Sequence, residues 1–356
     1  MARTYAEMRD LIEQMLQDPN AAVYTTTNTA YWIEDSLKEF SQYVPHIVDV
    51  IFKIESRTGT DTAGTSNKLT DTTKSQFLTT DDSDEKVIHN ITDNTWATAT
   101  DSTASTTTVI TLNNDVMASG ENYNIYHKRC RNSKQIYIGD MPVYLWVDSV
   151  EYPIGTMRNF KVYDGVLEIA VDTVADSDLT ASTLPDIDVL IRFAVPHVLS
   201  QLTDWDGTLS DVSGEVKGAT DIAIAGMGAT ETIELGEEFN IEFHRTLYFV
   251  REEDTTSGNA VAALKIFPAL EGVTVKDDVI NFRRSSLQPQ HEELFCHLVA
   301  ARAVLSDNLK HINAIPKGGR DVWQRQQEWG ERKLAEVLHK LERITPIRTK
   351  RVYPRD

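Results

Sequence analysis

Patterns of helical period stand at both ends of this chain, and nearly everything between them reads as short strands. The first pattern is Tyr5, Met8, Leu11, Ile12, Met15 and Leu16. Thr4 opens it, and Glu7 three positions on completes the pairing of a capping box. Asp18-Pro19-Asn20 stops it. A second helix is expected from Thr27 or Asn28, with Ile33, Leu37, Phe40 and Val44 on one stripe and Pro45 as its end. At the other end of the sequence Pro289 stands at a first helical position, and Glu292 and Glu293 favour the positive end of the dipole. Leu294, Leu298, Ala301 and Leu305 make the stripe there, widened by Phe295 and Val299. Gly318-Gly319 breaks the pattern. A last helix over 320–344, about 37 Å long, carries Trp323, Trp329, Leu334, Val337, Leu338 and Leu341, and Pro346 stops it. Neither helix pair can bury its apolar stripe alone, so the four are expected to meet, the alternative being that each pair packs on the β block instead. The expected fold class is therefore α+β: terminal helices forming a bundle, interrupted by a β-rich middle with inserted small β modules.

The middle begins with a dense β-branched run at 47–54. From Thr58 to about Thr108 the composition turns to Ser, Thr, Asp and Asn, residues of turns and solvent-facing strands. Strands are expected at 86–89, 109–112 and 123–126. A further block carries strands at 135–138, 143–147, 161–163, 166–171 and 189–193, with Asp164-Gly165 as a hairpin turn. A second Gly/Ala/Thr-rich β stretch runs from Gly214 to Phe282, with strands at 232–239 and 247–250. The domain reading is 1–57 for the first helices and strand, 58–133 for an inserted β module, and 134–213 for a central β block. It continues with 214–284 for a second β module, 285–345 for the closing helix pair and 346–356 for an extended basic tail.

The chain has 356 residues, 41% of them hydrophobic, enough to bury a real core. Its formal charge of −19 repels free nucleic acid and speaks against sequence-specific DNA binding. The same charge on a channel wall lets a polyanion slide. Cys130 and Cys296 lie far apart, which fits reduced thiols in a cytoplasmic product. No signal-peptide pattern and no apolar run of membrane-spanning length is present, so a soluble protein made inside a cell is expected.

The motifs that suggest chemistry do not complete themselves. His291 and His297 are six positions apart, about 240° around a helix, and face different sides. Asp204, Asp206 and Glu215 echo a calcium loop, but Leu209 stands where the loop needs glycine. That stretch is read as an Asx-rich turn. Gly226 and Gly228 lack the third glycine of a dinucleotide fingerprint, because Glu231 takes its place. The chain is expected to be no enzyme and to need no cofactor and no metal.

The basic tail stands apart. Arg343, Arg348, Lys350, Arg351 and Arg355 fall in the last fourteen residues, against Asp356 alone. Tyr353 and Ile347 add apolar contact, and Pro346 and Pro354 favour an extended backbone. On an acidic chain, such a segment suits docking to a partner.

Several residue groups together resemble the head–tail adaptor (connector) proteins of tailed bacteriophages. They are 40–45 (Phe-Ser-Gln-Tyr-Val-Pro), 147–153 (Val-Asp-Ser-Val-Glu-Tyr-Pro), the Asp164-Gly165 hairpin, 193–197 (Phe-Ala-Val-Pro-His) and 290–294 (Gln-His-Glu-Glu-Leu). The resemblance covers the helical ends and the 135–200 block; the two β modules depart from the minimal adaptor. It implies a virion protein at the head–tail interface, assembled in the host cytoplasm as a dodecameric ring beneath the portal protein. Genomic DNA would pass through the channel without sequence-specific binding. Tail or stopper proteins would follow below, and no membrane would be involved. It also implies that Arg343, Arg348, Lys350, Arg351, Tyr353 and Arg355 contact the portal. The alternative is a capsid decoration or fibre-anchoring protein that binds through the β modules.

Overall fold

The computed structural model describes residues 3–345, apart from 79, 83, 101–105, 176, 179–186 and 311–319, and leaves the side chains of 308–310 and 320–323 undescribed. Two compact units result. The first takes Met1–Val48, Met141–Trp146 and the chain from Ala194 onward through the last helix; the second takes Asp49–Asp140 and Val147–Phe193.

In the first unit, helix α1 (Tyr5–Met15) starts where Thr4 and Glu7 close a reciprocal capping box. The Thr4 hydroxyl accepts from the Glu7 amide, and the Glu7 carboxylate accepts from the Thr4 amide at 2.8 Å. The Asp18 carboxylate then collects the amides of Ala22, Val23 and Tyr24, which shapes the turn into α2 (Thr26–Tyr43). Helices α3 (Pro289–Lys310) and α4 (Arg320–Ile344) follow the barrel in sequence. Helix α3 touches all three other helices. Its Phe295, Cys296, Leu298, Val299, Ala300, Ala301 and Ala303 are buried, so more than one of its faces is covered.

The centrepiece of this unit is a closed six-stranded barrel. Its strands, in order round the wall, are Asp206–Leu209, Asp221–Ala225, Ala260–Phe267, Tyr248–Val250, Glu238–Ile241 and Val279–Phe282. Every neighbouring pair is antiparallel. Alternation fills it: Ile222 and Ile224 point in between outward Asp221, Ala223 and Ala225, and Phe239 and Ile241 point in around Asn240. Leu209, Tyr248, Leu264, Ile266, Ile280 and Phe282 complete the interior. Closure leaves the wall without a free strand edge.

The expected α+β class with a helical bundle as host is corrected here. The chain is mostly β, 31% strand against 22% helix, and a barrel is its largest closed element. The helices do not close a bundle of their own. Their apolar cluster also takes in Leu199 and Leu287 from outside the helices, so part of the helical stripe is covered by the connecting chain.

In the second unit, strands Thr58–Thr60, Asn122–Tyr126, Val87–Asn90 and Thr95–Thr98 form one sheet in that order, and Lys68–Thr70 pairs with Val109–Thr111. Leu69, Phe77, Ile88, Ile110, Tyr123 and Ile125 form the core between them. Arg57 is buried beside it. Its guanidinium bonds Glu55 at 2.8 Å and Asp81 at 2.7 Å, with Lys86 3.3 Å from Glu55. Those partners hold the Glu55 carboxyl well below the usual range despite its burial. The hairpin at Asp164-Gly165 is present: Tyr163 faces Val166, and both turn residues have positive φ, +50° and +72°. A separate sheet pairs His46–Lys53, Asp188–Val195, Trp146–Glu151 and Met157–Arg158 in that order. The 143–145 part of the strand expected at 143–147 is not strand.

Candidate functional site

Strand direction decides what each end of the barrel carries. Asp206–Leu209, Glu238–Ile241 and Ala260–Phe267 run one way, and their three partners run the other. The loops 210–220, 242–247 and 268–278 therefore share one rim. The chain enters at Trp205 and leaves at Arg283 on the opposite end. The shared rim carries Val212, Val216, Phe243, Val273 and Val275, each between 65% and 85% exposed.

These loops are fastened to one another. Thr274 donates its amide to the Glu215 carbonyl at 3.0 Å, and its hydroxyl accepts from the Glu215 amide at 3.0 Å. Gly218 and Leu270 are joined at 2.9 Å. The Glu271 carboxylate accepts from the Thr246 amide at 3.0 Å and from its hydroxyl. Below them the buried Tyr248 hydroxyl accepts from the Glu271 amide at 3.0 Å and bonds His244 Nδ1 at 2.7 Å. Burial pushes that phenol up to about 12. Phe243 sits on this platform at φ +66°, a left-handed conformation that bulky residues rarely adopt. Strain of that kind gathers where a side chain is presented for a purpose.

A second surface lies beside α2. Ile33 and Leu37 of α2 and Val143, Leu235 and Phe249 line an open cleft of about 380 Å³. Glu34 and Glu234 also line it, with Lys38 as its cationic residue. A neighbouring cleft of about 510 Å³ shares Gln201 and Glu234 with the first and adds Glu231. Burial and the nearby Glu34 and Glu253 raise the Glu234 carboxyl. Glu231 Oε1 accepts from the amides of Thr203 and Asp204, while its Oε2 is buried without a hydrogen-bond partner among the described residues.

Under this cleft lies a buried polar cluster. His197 Nε2 donates to the Val44 carbonyl at 2.8 Å, which leaves Nδ1 to accept from Ser286 Oγ at 3.0 Å. Burial, with His46 stacked 5.9 Å away, lowers its pKa to about 4. Glu238 lies 3.0 Å from His46 and 2.6 Å from Arg283. Glu237 accepts from Ser200 Oγ at 2.8 Å, and burial pushes its carboxyl up to about 8. The far nitrogen of His197 faces a carbonyl, not a carboxylate, so this Ser–His pair lacks the acid that orients a nucleophile's base. It ties the 198 and 286 segments to the end of α2.

Of the residues expected to contact a partner, Arg343 lies in the last turn of α4. Arg348, Lys350, Arg351, Tyr353 and Arg355 lie outside the described residues. His291 packs near Phe40 and His297 lies 3.7 Å from Glu293. No group of three His, Cys, Asp or Glu among the described residues is placed to hold a metal ion. No helix among them is long and apolar enough to cross a membrane. Asp206 and Gly207 open a barrel strand where a turn was expected. Sequence reasoning missed the rim, since isolated valines and one phenylalanine in loops carry no period. The chain matches no protein-family model, no curated protein and no solved structure in the three comparisons made.

Proposed function

We propose that this chain is a structural virion protein of a tailed bacteriophage, a head-to-tail adaptor that forms a ring under the portal and surrounds the DNA channel. The observation that supports this reading is the barrel rim. Five large apolar side chains stand in solvent on loops that hydrogen bonds tie to one another. Exposed apolar area of this kind marks a protein contact. Each such side chain gains about 1.5–3 kcal/mol when fully covered. A preformed platform loses little entropy on binding, and repetition round a ring multiplies a modest contact into a durable joint. The acidic body suits a channel through which DNA slides without sticking.

Negative-stain imaging of the purified protein, alone and with a candidate portal, tests the reading. Rings with an axial hole are expected. A triple rim variant, Phe243→Gly with Val273→Ser and Val275→Ser, should keep its circular dichroism spectrum and lose the joint to the neighbouring component. Particles that stay single or trimeric at every concentration overturn the adaptor. They favour the second reading, a decoration or fibre-anchoring protein, which the rim's position on a β barrel also suits.

A further inference from the structure

The cleft beside α2 and its neighbour meet at Gln201 and Glu234 and together make one acidic, apolar trough. Its apolar lining includes Ile33, Leu37, Val143, Leu235 and Phe249, of which Val143 and Leu235, in a loop and a turn, are exposed. Along it stand Glu34, Glu234 and Glu231, against Lys38. Two of these carboxylates are uncomfortable as they are. Glu234 is raised by burial and by its acidic neighbours, and Glu231 has a buried oxygen without a hydrogen-bond partner among the described residues. A trough so built calls for an occupant that is apolar and cationic together and that brings its own hydrogen-bond donors.

This chain carries such a segment. From Arg343 to Asp356 it holds five cations against one carboxylate, with Ile344, Ile347, Val352 and Tyr353 between them. In extended form the eleven residues 346–356 span about 36 Å. Pro346 and Pro354 reduce the entropy it loses when held extended. The rest of the chain is strongly acidic, so the segment's charge complements the trough and contrasts with the surface around it.

We propose that the trough seats segment 343–356 of a second copy of this chain, joining copies head to tail. The guanidinium and ammonium groups meet the exposed Glu34 and Glu234, and the isoleucines, valine and tyrosine cover the apolar lining. Donor and acceptor surfaces lie at different places on one chain. Such a contact is heterologous, and it builds a ring when its rotation closes. The segment that the family resemblance directs to a portal thus has a seat on its own kind. The proposal rests on the ring-forming reading, yet the two fail differently: single reversals that associate like wild type remove this seat and leave the ring standing, whereas wild type that stays monomeric removes both.

Charge exchange in the full chain tests this by sedimentation velocity over a concentration series. One variant reverses the trough, Glu34→Lys with Glu234→Lys. The other reverses the segment, Arg348→Glu with Lys350→Glu and Arg351→Glu. Wild-type chains should associate, and each reversal alone should weaken association by about tenfold or more. A chain carrying both reversals should recover most of that loss, which a merely misfolded trough would not do. Wild type that stays monomeric, single reversals that associate like wild type, or a double reversal that recovers nothing would each overturn the proposal. Circular dichroism of the trough variant checks that it folds, and Glu34→Gln with Glu234→Gln gives the milder change, with a smaller loss expected in the same direction.

Discussion

Phe243 concentrates the residue-scale question. Its left-handed backbone costs about 1–2 kcal/mol for a side chain with a Cβ, and its ring gains nothing in return from its own subunit, being almost wholly exposed. Phe243→Gly is therefore expected to leave stability unchanged or raise it by up to about 1 kcal/mol, while weakening rim-mediated assembly. Chemical denaturation and assembly measured on the same sample check the two halves. Glu237 poses a second question. The native fold keeps a proton that the unfolded chain releases, so stability falls as pH rises from the ordinary carboxylate range to about 8. Glu237→Gln should erase that fall and be the more stable protein at pH 8.5, by an amount on the order of 5 kcal/mol, with little difference near pH 5. Denaturation at both pH values measures it. His197 acts oppositely. Its lowered pKa gives stability that is lost as pH falls below the ordinary imidazole range toward about 4.

Among the elements, what was legible in the sequence was local. Thr4 and Glu7 fixed the start of α1 because both halves of the cap lie within one turn. Pro289 marked the start of α3, and Asp164-Gly165 marked its hairpin for the same reason. The barrel escaped notice because its closure joins Asp206–Leu209 to Val279–Phe282, far apart in sequence. Its strands are also short and built partly from Gly, Thr and Ala. The run at 232–239 looked continuous, yet a turn with Gly236 at φ +86° divides it into Thr232–Ile233 and Glu238–Ile241. The packing of α4 on α3 turns on one position. A Cβ on Gly330 would stand 3.1 Å from Leu305 and 3.4 Å from Val304. Gly330→Val should force the helices apart and cost about 1–3 kcal/mol, read as a lower thermal midpoint with helical signal lost first.

For the molecule as a whole, the sequence announced a cationic segment and an acidic body but not where either would meet a partner. Arg343 was legible as the start of that segment because charge shows without a fold. The trough was not, since Ile33, Val143 and Leu235 come from three separate stretches that only folding brings together. The barrel's closure has a last consequence. With each strand flanked on both sides, no newcomer can be added to the wall by backbone pairing, so recognition at that end rests on loop side chains alone. Loop chemistry can then drift, or be diversified in the laboratory at 212, 216, 243, 273 and 275, while Glu215, Thr246, Glu271 and Thr274 keep the loops fastened. The surface offered at that tip could be retuned without renegotiating the fold beneath it.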